Sequence, residues 1–300
     1  MGMDMIEMIE KAEILMEALP FIQKFYGKIF VIKYGGHAMI DEKAKNWTAQ
    51  DVVLLKYVGI NPVVVHGGGP EINKAMEKMG KKPEFVHGLR VTDEETLDIV
   101  EMVLAGKING DIVSKLSKFG GKAVGLSGKS GRIILAKKKL KKIKTEKGEE
   151  IEVDLGRVGE TVEVNTELLE ILINNGYIPV VSPIGLDEKG EAYNLNADTV
   201  AGDIAGALKA EKLILITDVD GIMDDINNPE TLHRKLTASE LKEMIEDGRI
   251  KGGMIPKAES ALYALEHGVK SVHIINGKIP HALLLEIFTE EGIGTMITRD

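Results

Sequence analysis

The stretch Asn61-Pro62-Val63-Val64-Val65-His66-Gly67-Gly68-Gly69-Pro70-Glu71-Ile72-Asn73 reads as a strand, a turn and a helix in immediate succession. Three β-branched valines make a buried strand, the glycines a turn without Cβ atoms, and Pro70 the first helical position, where a missing N–H does no harm. Unsatisfied N–H groups and the positive end of the helix dipole converge there, so the loop is a cradle for phosphate or carboxylate. A plain tight strand-to-helix turn would carry the same residues. The rest of the chain decides between the two readings.

Upstream, Lys28 to Tyr34 forms a strand running into Gly35-Gly36, and a helical stretch from Asn46 to Gly59 leads back to the valine strand. That is a βαβ unit, which implies a parallel sheet with ligands at the carboxyl ends of its strands. Both glycine turns and Lys33 fall on that one edge. Further upstream, residues 4 to 25 space Ile6, Ile9, Ile14, Leu15, Ala18, Leu19 and Phe21 as one apolar helical face, with Pro20 as an expected kink. That face can be buried by a partner subunit or by its own domain.

Downstream, Thr92-Asp93-Glu94-Glu95 reads as a capping box whose helix is expected to stop near Gly106, so that Arg90 is delivered to a helix N-terminus. A short helix from Ile112 to Phe119 and a strand from Ala123 to Leu126 follow. Residues 132 to 164 alternate apolar and polar across Lys147-Gly148, the pattern of a β-hairpin, expected at the rim of the sheet. Asn165 is placed to cap a helix over 166–174, and a buried strand runs from Ile178 to Val181. Asn194-Leu195-Asn196-Ala197-Asp198 enters a helix of small residues, and Leu213 to Thr217 is a strand ending in Asp218-Val219-Asp220-Gly221. A second capping box at Thr237-Ala238-Ser239-Glu240, a helix from Pro256 to Gly268, a strand from Ser271 to Ile275, a helix from Pro280 to Glu290 and a strand over 295–298 complete the chain. The alternation predicts an α/β fold, a three-layer αβα sandwich around a mainly parallel central sheet with an N-terminal helical extension. A lobe boundary is expected near Leu208 to Glu211, dividing residues 1–26, 27–208 and 209–300.

The bulk composition narrows the chemistry. With 300 residues, 44% of them hydrophobic, the chain can bury a sizeable core. Its net charge of −9 argues against a nucleic-acid binder, and the six lysines between Lys137 and Lys144 read as a solvated face. The absence of cysteine excludes disulfides, thiolate metal sites and cysteine nucleophiles. No apolar run approaches the ~20 residues of a membrane span, and the acidic start is unlike a signal peptide, so a cytoplasmic address is expected.

Gly128-Lys129-Ser130 looks like the tail of a P-loop, but Ala123 stands where the motif needs its first glycine. No dinucleotide fingerprint follows either early strand. The seven histidines show no metal-site spacing and read as structural, and no nucleophile elbow is present. What remains is two glycine turns with Lys33, Arg90, Asn194, Asp198 and Lys257, an inventory suited to anions. Backbone N–H groups and lysines neutralise the charge of a transferring phosphoryl group, and an arginine fork suits a carboxylate. Lys33 is singled out locally, because a lysine that interrupts an apolar strand beside a glycine turn is seldom idle.

Taken together, Lys33-Tyr34-Gly35-Gly36, His66-Gly67-Gly68-Gly69-Pro70, Gly88-Leu89-Arg90-Val91-Thr92, Asn194-Leu195-Asn196-Ala197-Asp198, Thr217-Asp218-Val219-Asp220-Gly221 and Gly252-Gly253-Met254-Ile255-Pro256-Lys257 resemble the amino acid kinase family, and within it the kinases of N-acetyl-L-glutamate. The match runs in order over essentially the whole chain. The resemblance implies ATP-dependent phosphorylation of the side-chain carboxylate of N-acetyl-L-glutamate, the second step of arginine biosynthesis, with Mg2+ accompanying the nucleotide and no resident metal site. It implies that Lys33 and Lys257 stabilise the transferring phosphoryl group and that Asp198 holds both lysines. Gly35, Gly36, Gly68 and Gly69 would offer backbone N–H groups, Arg90 would grip the substrate's α-carboxylate, and Asn194 would fix the acetylamino acid. The nucleotide would lie over Thr217, Asp218, Gly221 and Lys257.

The chain ends are similar to the arginine-inhibited members, in which N-terminal helices interlace dimers into a hexameric ring, a trimer of dimers. By that resemblance Tyr26, Lys212, Glu286 and Gly292 are candidate arginine contacts. Two positions depart from the family pattern, His37 after the double glycine and Gly110 where a charged residue is common. The rival readings are a sister kinase acting on another acid, such as an acetylaminoadipate-type substrate, and a catalytically idle amino-acid sensor.

Overall fold

The computed structural model describes residues 5–86, 89–144, 150–225 and 227–300, without the side chains of residues 7, 8, 11, 37, 142–144 and 150. In chain order the elements are α1 (Met5–Phe25), β1 (Ile29–Tyr34), α2 (Glu42–Tyr57), β2 (Asn61–His66), α3 (Gly69–Lys78), β3 (Phe85–Val86), β4 (Leu89–Arg90), α4 (Glu94–Glu101), α5 (Asn109–Lys118), β5 (Ala123–Ser127), β6 (Ile134–Lys144) and β7 (Glu150–Val164). They continue with α6 (Glu167–Asn174), β8 (Ile178–Ser182), β9 (Ile184–Leu186), β10 (Ala192–Asn194), α7 (Ala197–Ala207), β11 (Lys212–Thr217), β12 (Lys235–Thr237), α8 (Ala238–Glu246), α9 (Ile255–Glu266), β13 (Ser271–Asn276), α10 (Ala282–Ile287) and β14 (Thr295–Thr298).

The central sheet has eight strands in the order β12-β14-β13-β11-β1-β2-β8-β5. Only the β13–β14 pairing is antiparallel; the other neighbours run parallel. Parallel strands need cover on both faces, which is why β1, β2, β8, β11 and β13 carry near-continuous apolar runs. Alternate residues enter two cores. Val31, Val63, Val65 and Leu215 pack with α7 and α9 through Ala201, Ala205, Ala258 and Ala261. Phe30, Ile32, Tyr34 and Val64 face the other way, toward Val52, Ile108 and Leu116. The expected three-layer α/β arrangement is what the chain adopts.

Three expectations are revised. The helix opened at residue 94 does not stop near Gly106: a π-helical segment, Met102–Ile108, carries it without interruption into α5. Val103, Leu104 and Ile108 are buried there, and that packing outweighs the poor helix propensity of Gly106. The cap is also one residue later than expected: Asp93 accepts the Thr96 N–H, which frees Thr92 for another role. The lysine-rich hairpin is not at the rim of the sheet. β6 and β7 close with β9 and β10 into a small barrel of their own, in which Ile134, Ala136, Leu155, Ile184 and Tyr193 are buried, while the edge strand β5 pairs with β8. Its turn at Lys147-Gly148 lies outside the described residues.

Helix α1 continues through Pro20. Its last turn is anchored, with Phe25 buried against Phe30. Ile6, Ile9, Ile14, Leu15 and Met16 are all exposed, so that stretch does not cover its own domain.

Candidate active site

The carboxyl ends of β1, β2 and β11 open onto one edge, and the N-termini of α3, α7 and α9 point at it. At their meeting point Asp198, in the first turn of α7, is clasped by two lysines. Lys33 Nζ lies 3.0 Å from its Oδ1 and Lys257 Nζ 2.9 Å from its Oδ2. The three side chains are mostly buried, and the cluster carries one net positive charge. Burial works against ionisation of Asp198, but the two ammonium groups outweigh it and hold the carboxyl below its usual range. Asn196 sets this turn, its side chain accepting the N–H groups of Asp198 and Thr199.

The glycines around this cluster are places where a side chain would not fit. A Cβ on Gly35 would collide with the Lys33 ammonium, so the bare backbone lets that lysine fold across it. Gly36 has φ +66°, and a Cβ there would meet Asp218 Oδ1. A Cβ on Gly68 would strike Ile108, at the end of the π-helical segment, whereas Gly69 faces open space. Pro70 falls second in α3, one position later than expected, and Gly68 occupies the cap without any side chain.

Arg90 is folded onto α3. Its Nη2 donates to Asn73 Oδ1 at 2.5 Å and to the Gly69 carbonyl at 3.2 Å, while its guanidinium stacks 4.6 Å from the Phe85 ring. Thr92, fully buried, donates its hydroxyl to the Arg90 carbonyl at 3.0 Å and receives Asn194 Nδ2 at 3.4 Å. Arg90 and Asn194 are thus brought together through Thr92, and the barrel strand β7 holds Thr92 from behind through its Leu155 carbonyl. Asn73 escaped the sequence reading, because a half-buried polar residue on a helix carries no mark of its own. Thr92 was read as a cap and as the end of the Gly88–Thr92 motif, without the link it makes between Arg90 and Asn194. Gly88, part of the quoted motif, lies outside the described residues.

On the far side of Lys257 a cavity of about 560 Å³ is lined by Thr217, Gly221, Ile222, Met223, Ile250 and Met254, among others. That is within the usual size of a small-molecule site. Thr217, Gly221 and Lys257 line it as expected; Asp218 does not, and lies instead against Gly36. Among the described residues no group of three or more His, Asp or Glu could hold a metal ion.

A second polar cluster lies under α10. Lys212 Nζ is 2.7 Å from His273 Nε2, and His273 Nδ1 is 2.5 Å from Glu286 Oε1. Burial pushes Lys212 down to about 8. Burial also opposes the charge on Glu286, but His273 and the N–H groups of Ile293 and Gly294 keep it ionised below the usual range. A Cβ on Gly292 would stand 2.7 Å from Glu286 Oε2. Lys212, Glu286 and Gly292 therefore converge, with His273, which the sequence reading set aside as structural, as their link. Tyr26 does not join them: its ring is exposed over Gly59, and Phe25 is the aromatic residue beside Lys212, at 5.1 Å. Gly110 stands in the first turn of α5 with open space around it. The side chain of His37 lies outside the description.

Residues 28–276 match the model of the amino acid kinase family. The chain is 70% identical to an acetylglutamate kinase of Methanococcus aeolicus, over 97% of this chain and 98% of that one. Among solved structures it is similar to the N-acetylglutamate synthase of Neisseria gonorrhoeae, solved with coenzyme A and N-acetyl-glutamate, with a TM-score of 0.81, 30% identity and 96% of this chain covered. The chain spans 63% of that synthase's length. A carbamate kinase of Giardia lamblia bound to AMP-PNP shares the fold at 18% identity, with a TM-score of 0.63 over 91% of this chain and 99% of that one. With the family pattern matched from β1 to β13, the chain belongs to the amino acid kinase family.

Proposed function

We propose that the chain transfers the γ-phosphoryl group of ATP to the side-chain carboxylate of N-acetyl-L-glutamate, giving the acyl phosphate used in arginine biosynthesis. The single observation that carries this reading is Asp198 held between Lys33 and Lys257 beside the glycine loop. A carboxylate acceptor is already ionised at neutral pH, so no general base is required. The chemistry asks for in-line positioning and for positive charge that needs no rearrangement, and two lysines locked on one carboxylate provide it. Lys33 and Lys257 stabilise the transferring group, and Asp198 positions them. Gly35, Gly36, Gly68 and Gly69 present backbone N–H groups to phosphoryl and acceptor. Arg90 pairs with the α-carboxylate, and Asn194 fixes the acetylamino group.

Residues 27–208 form the acceptor lobe and 209–300 the nucleotide lobe, with ATP and its Mg2+ in the cavity beside Thr217, Gly221 and Lys257. Helix α1 joins dimers into a hexamer through its exposed apolar stretch, and arginine inhibits by binding beside Lys212, Glu286 and Gly292, near the α1 end at Phe25. The 70% identity to an acetylglutamate kinase supports the choice of acceptor over sister acids. The test is a hydroxylamine trap with ATP, Mg2+ and a panel of acidic acceptors. Hydroxamate with N-acetyl-L-glutamate is the expected result; hydroxamate with acetylaminoadipate in its place, or with no acceptor, overturns the proposal.

A further inference from the structure

The glycine loop after β2 has no side chains to fix which way its amide groups point. His66, the last residue of β2, supplies that constraint from below. It is fully buried, and it pairs in register with Tyr34, so its ring lies on the α2 and α5 face of the sheet while Val65 and Lys33 face α7. Its Nδ1 is 2.9 Å from the Gly67 carbonyl oxygen, and its Nε2 is 3.1 Å from Asn109 Nδ2.

The direction of each bond follows from Asn109. Its Nδ2 also faces the carbonyls of Val180, at 2.9 Å, and Leu126, at 3.2 Å, so that atom is the amide nitrogen and only donates. His66 Nε2 is therefore the acceptor, and the ring proton sits on Nδ1, where it donates to the Gly67 carbonyl. Burial pushes the imidazole down to about 4, which keeps this neutral form at physiological pH.

The Gly67–Gly68 peptide is planar and trans, so its N–H points opposite to its carbonyl. With the carbonyl drawn toward the α5 face, the Gly68 N–H is turned toward the face that carries Lys33 and Asp198. Gly67 itself approaches Ala197, the neighbour of Asp198. We infer that His66 and Asn109 are positioning residues of the transfer site, which lock the Gly67–Gly68 peptide so that the Gly68 N–H is aimed at the reacting group. This rests on the phosphoryl-transfer reading above.

Two unusual features serve the same arrangement. Asn109 is the first residue after the π-helical segment, whose wider turn sets the residues beyond it about 100° round from where an α-helix would leave them. Gly125 makes room for it, since a Cβ there would collide with Asn109 Oδ1.

The experiment compares H66L, H66N and N109L in the full chain, with steady-state kinetics, melting temperature and nitrogen NMR of histidine-labelled protein. Asparagine places its amide N–H on the branch where histidine carries Nδ1, whereas leucine fills space without a donor. Folded H66L is expected to lose kcat on the order of 10- to 100-fold, with KM for ATP little changed. H66N recovers about tenfold of that loss, although both variants melt earlier. The wild-type spectrum shows the Nδ1–H tautomer, and N109L shows a mixture. Wild-type kcat in folded H66L, equal losses in H66N and H66L, or an Nε2–H tautomer in the wild type would each overturn the inference alone. A wild type that forms no acyl phosphate from any acceptor overturns the functional reading and this inference with it.

Discussion

Lys257 Nζ and Asp198 Oδ2 meet at 2.9 Å across the N-termini of two helices, α9 and α7, that share one core. The opposite oxygen of the same carboxylate is taken by Lys33. Each lysine is thus positioned by an anion that it also helps to keep ionised. Replacing either lysine by alanine leaves the fold and the binding surfaces but removes charge needed most in the transition state. K33A and K257A are expected to lower kcat on the order of 100- to 1,000-fold with small changes in KM, read by steady-state kinetics. A variant with raised KM and near-normal kcat would reverse the role assigned here.

Arg90 leans on Asn73, Gly69 and Phe85 before any substrate arrives. A charge-assisted pair with a carboxylate is worth about 1.5–3 kcal/mol, so R90A is expected to raise KM for the acetylamino acid roughly 10- to 100-fold and to leave KM for ATP alone. N73A releases the guanidinium without removing it, so its KM for the same substrate is expected to rise by less.

Removing residues 1–24 takes away the exposed Ile6, Ile9, Ile14 and Leu15 while sparing Phe25, which is part of the core. The truncated chain is expected to stay folded and active as a smaller oligomer and to lose arginine sensitivity, measured by sedimentation and by inhibition curves. A hexamer still inhibited by arginine would sink the proposed role of α1.

His66 gives a pH dependence of defined sign. Its imidazole is held at about 4 in the fold, against about 6.5 when exposed, so between those values the unfolded chain binds more protons. Stability contributed by this group is full above pH 6.5 and is lost as pH falls toward 4, by roughly 3 kcal/mol at ~1.4 kcal/mol per pH unit. Denaturant titrations of the wild type and H66N across this range should converge as the pH drops; parallel curves would contradict the assignment.

Much of this was legible in the chain. Valines 63 to 65, three glycines and Pro70 could hardly be anything but strand, turn and helix, because each residue type is confined by its own backbone sterics. Lys33 was marked by context, a lysine interrupting an apolar strand beside a glycine turn, whereas Asp198 and Lys257 took their roles from the motifs they share with the family. What stayed hidden depended on packing between distant segments. Gly106 reads as a helix stop until Leu104 and Ile108 are seen under the glycine loop. The β6–β7 alternation announces a hairpin but says nothing of β9 and β10, three residues each, which close it into a barrel. Asp218 and Tyr26 were assigned by position in a motif, and their neighbours in space are different ones. The coupling of Thr92 to Arg90 and Asn194 appears only once β7 has docked.

The carboxylate of Asp198 sits midway in the fold between groups that come from near the two ends of the chain, Lys33 on the first strand and Lys257 on the last long helix. Neither half of the polypeptide can assemble the cluster by itself, and contacts between such remote segments are among the last a chain completes. A chain whose last third has not docked has no transfer centre, because Lys257 is missing from Asp198. The appearance of activity during refolding is therefore a timer for the final docking of the two halves. A mutation that slows that docking will show first as delayed activity, while the recovery of helical signal keeps its normal rate.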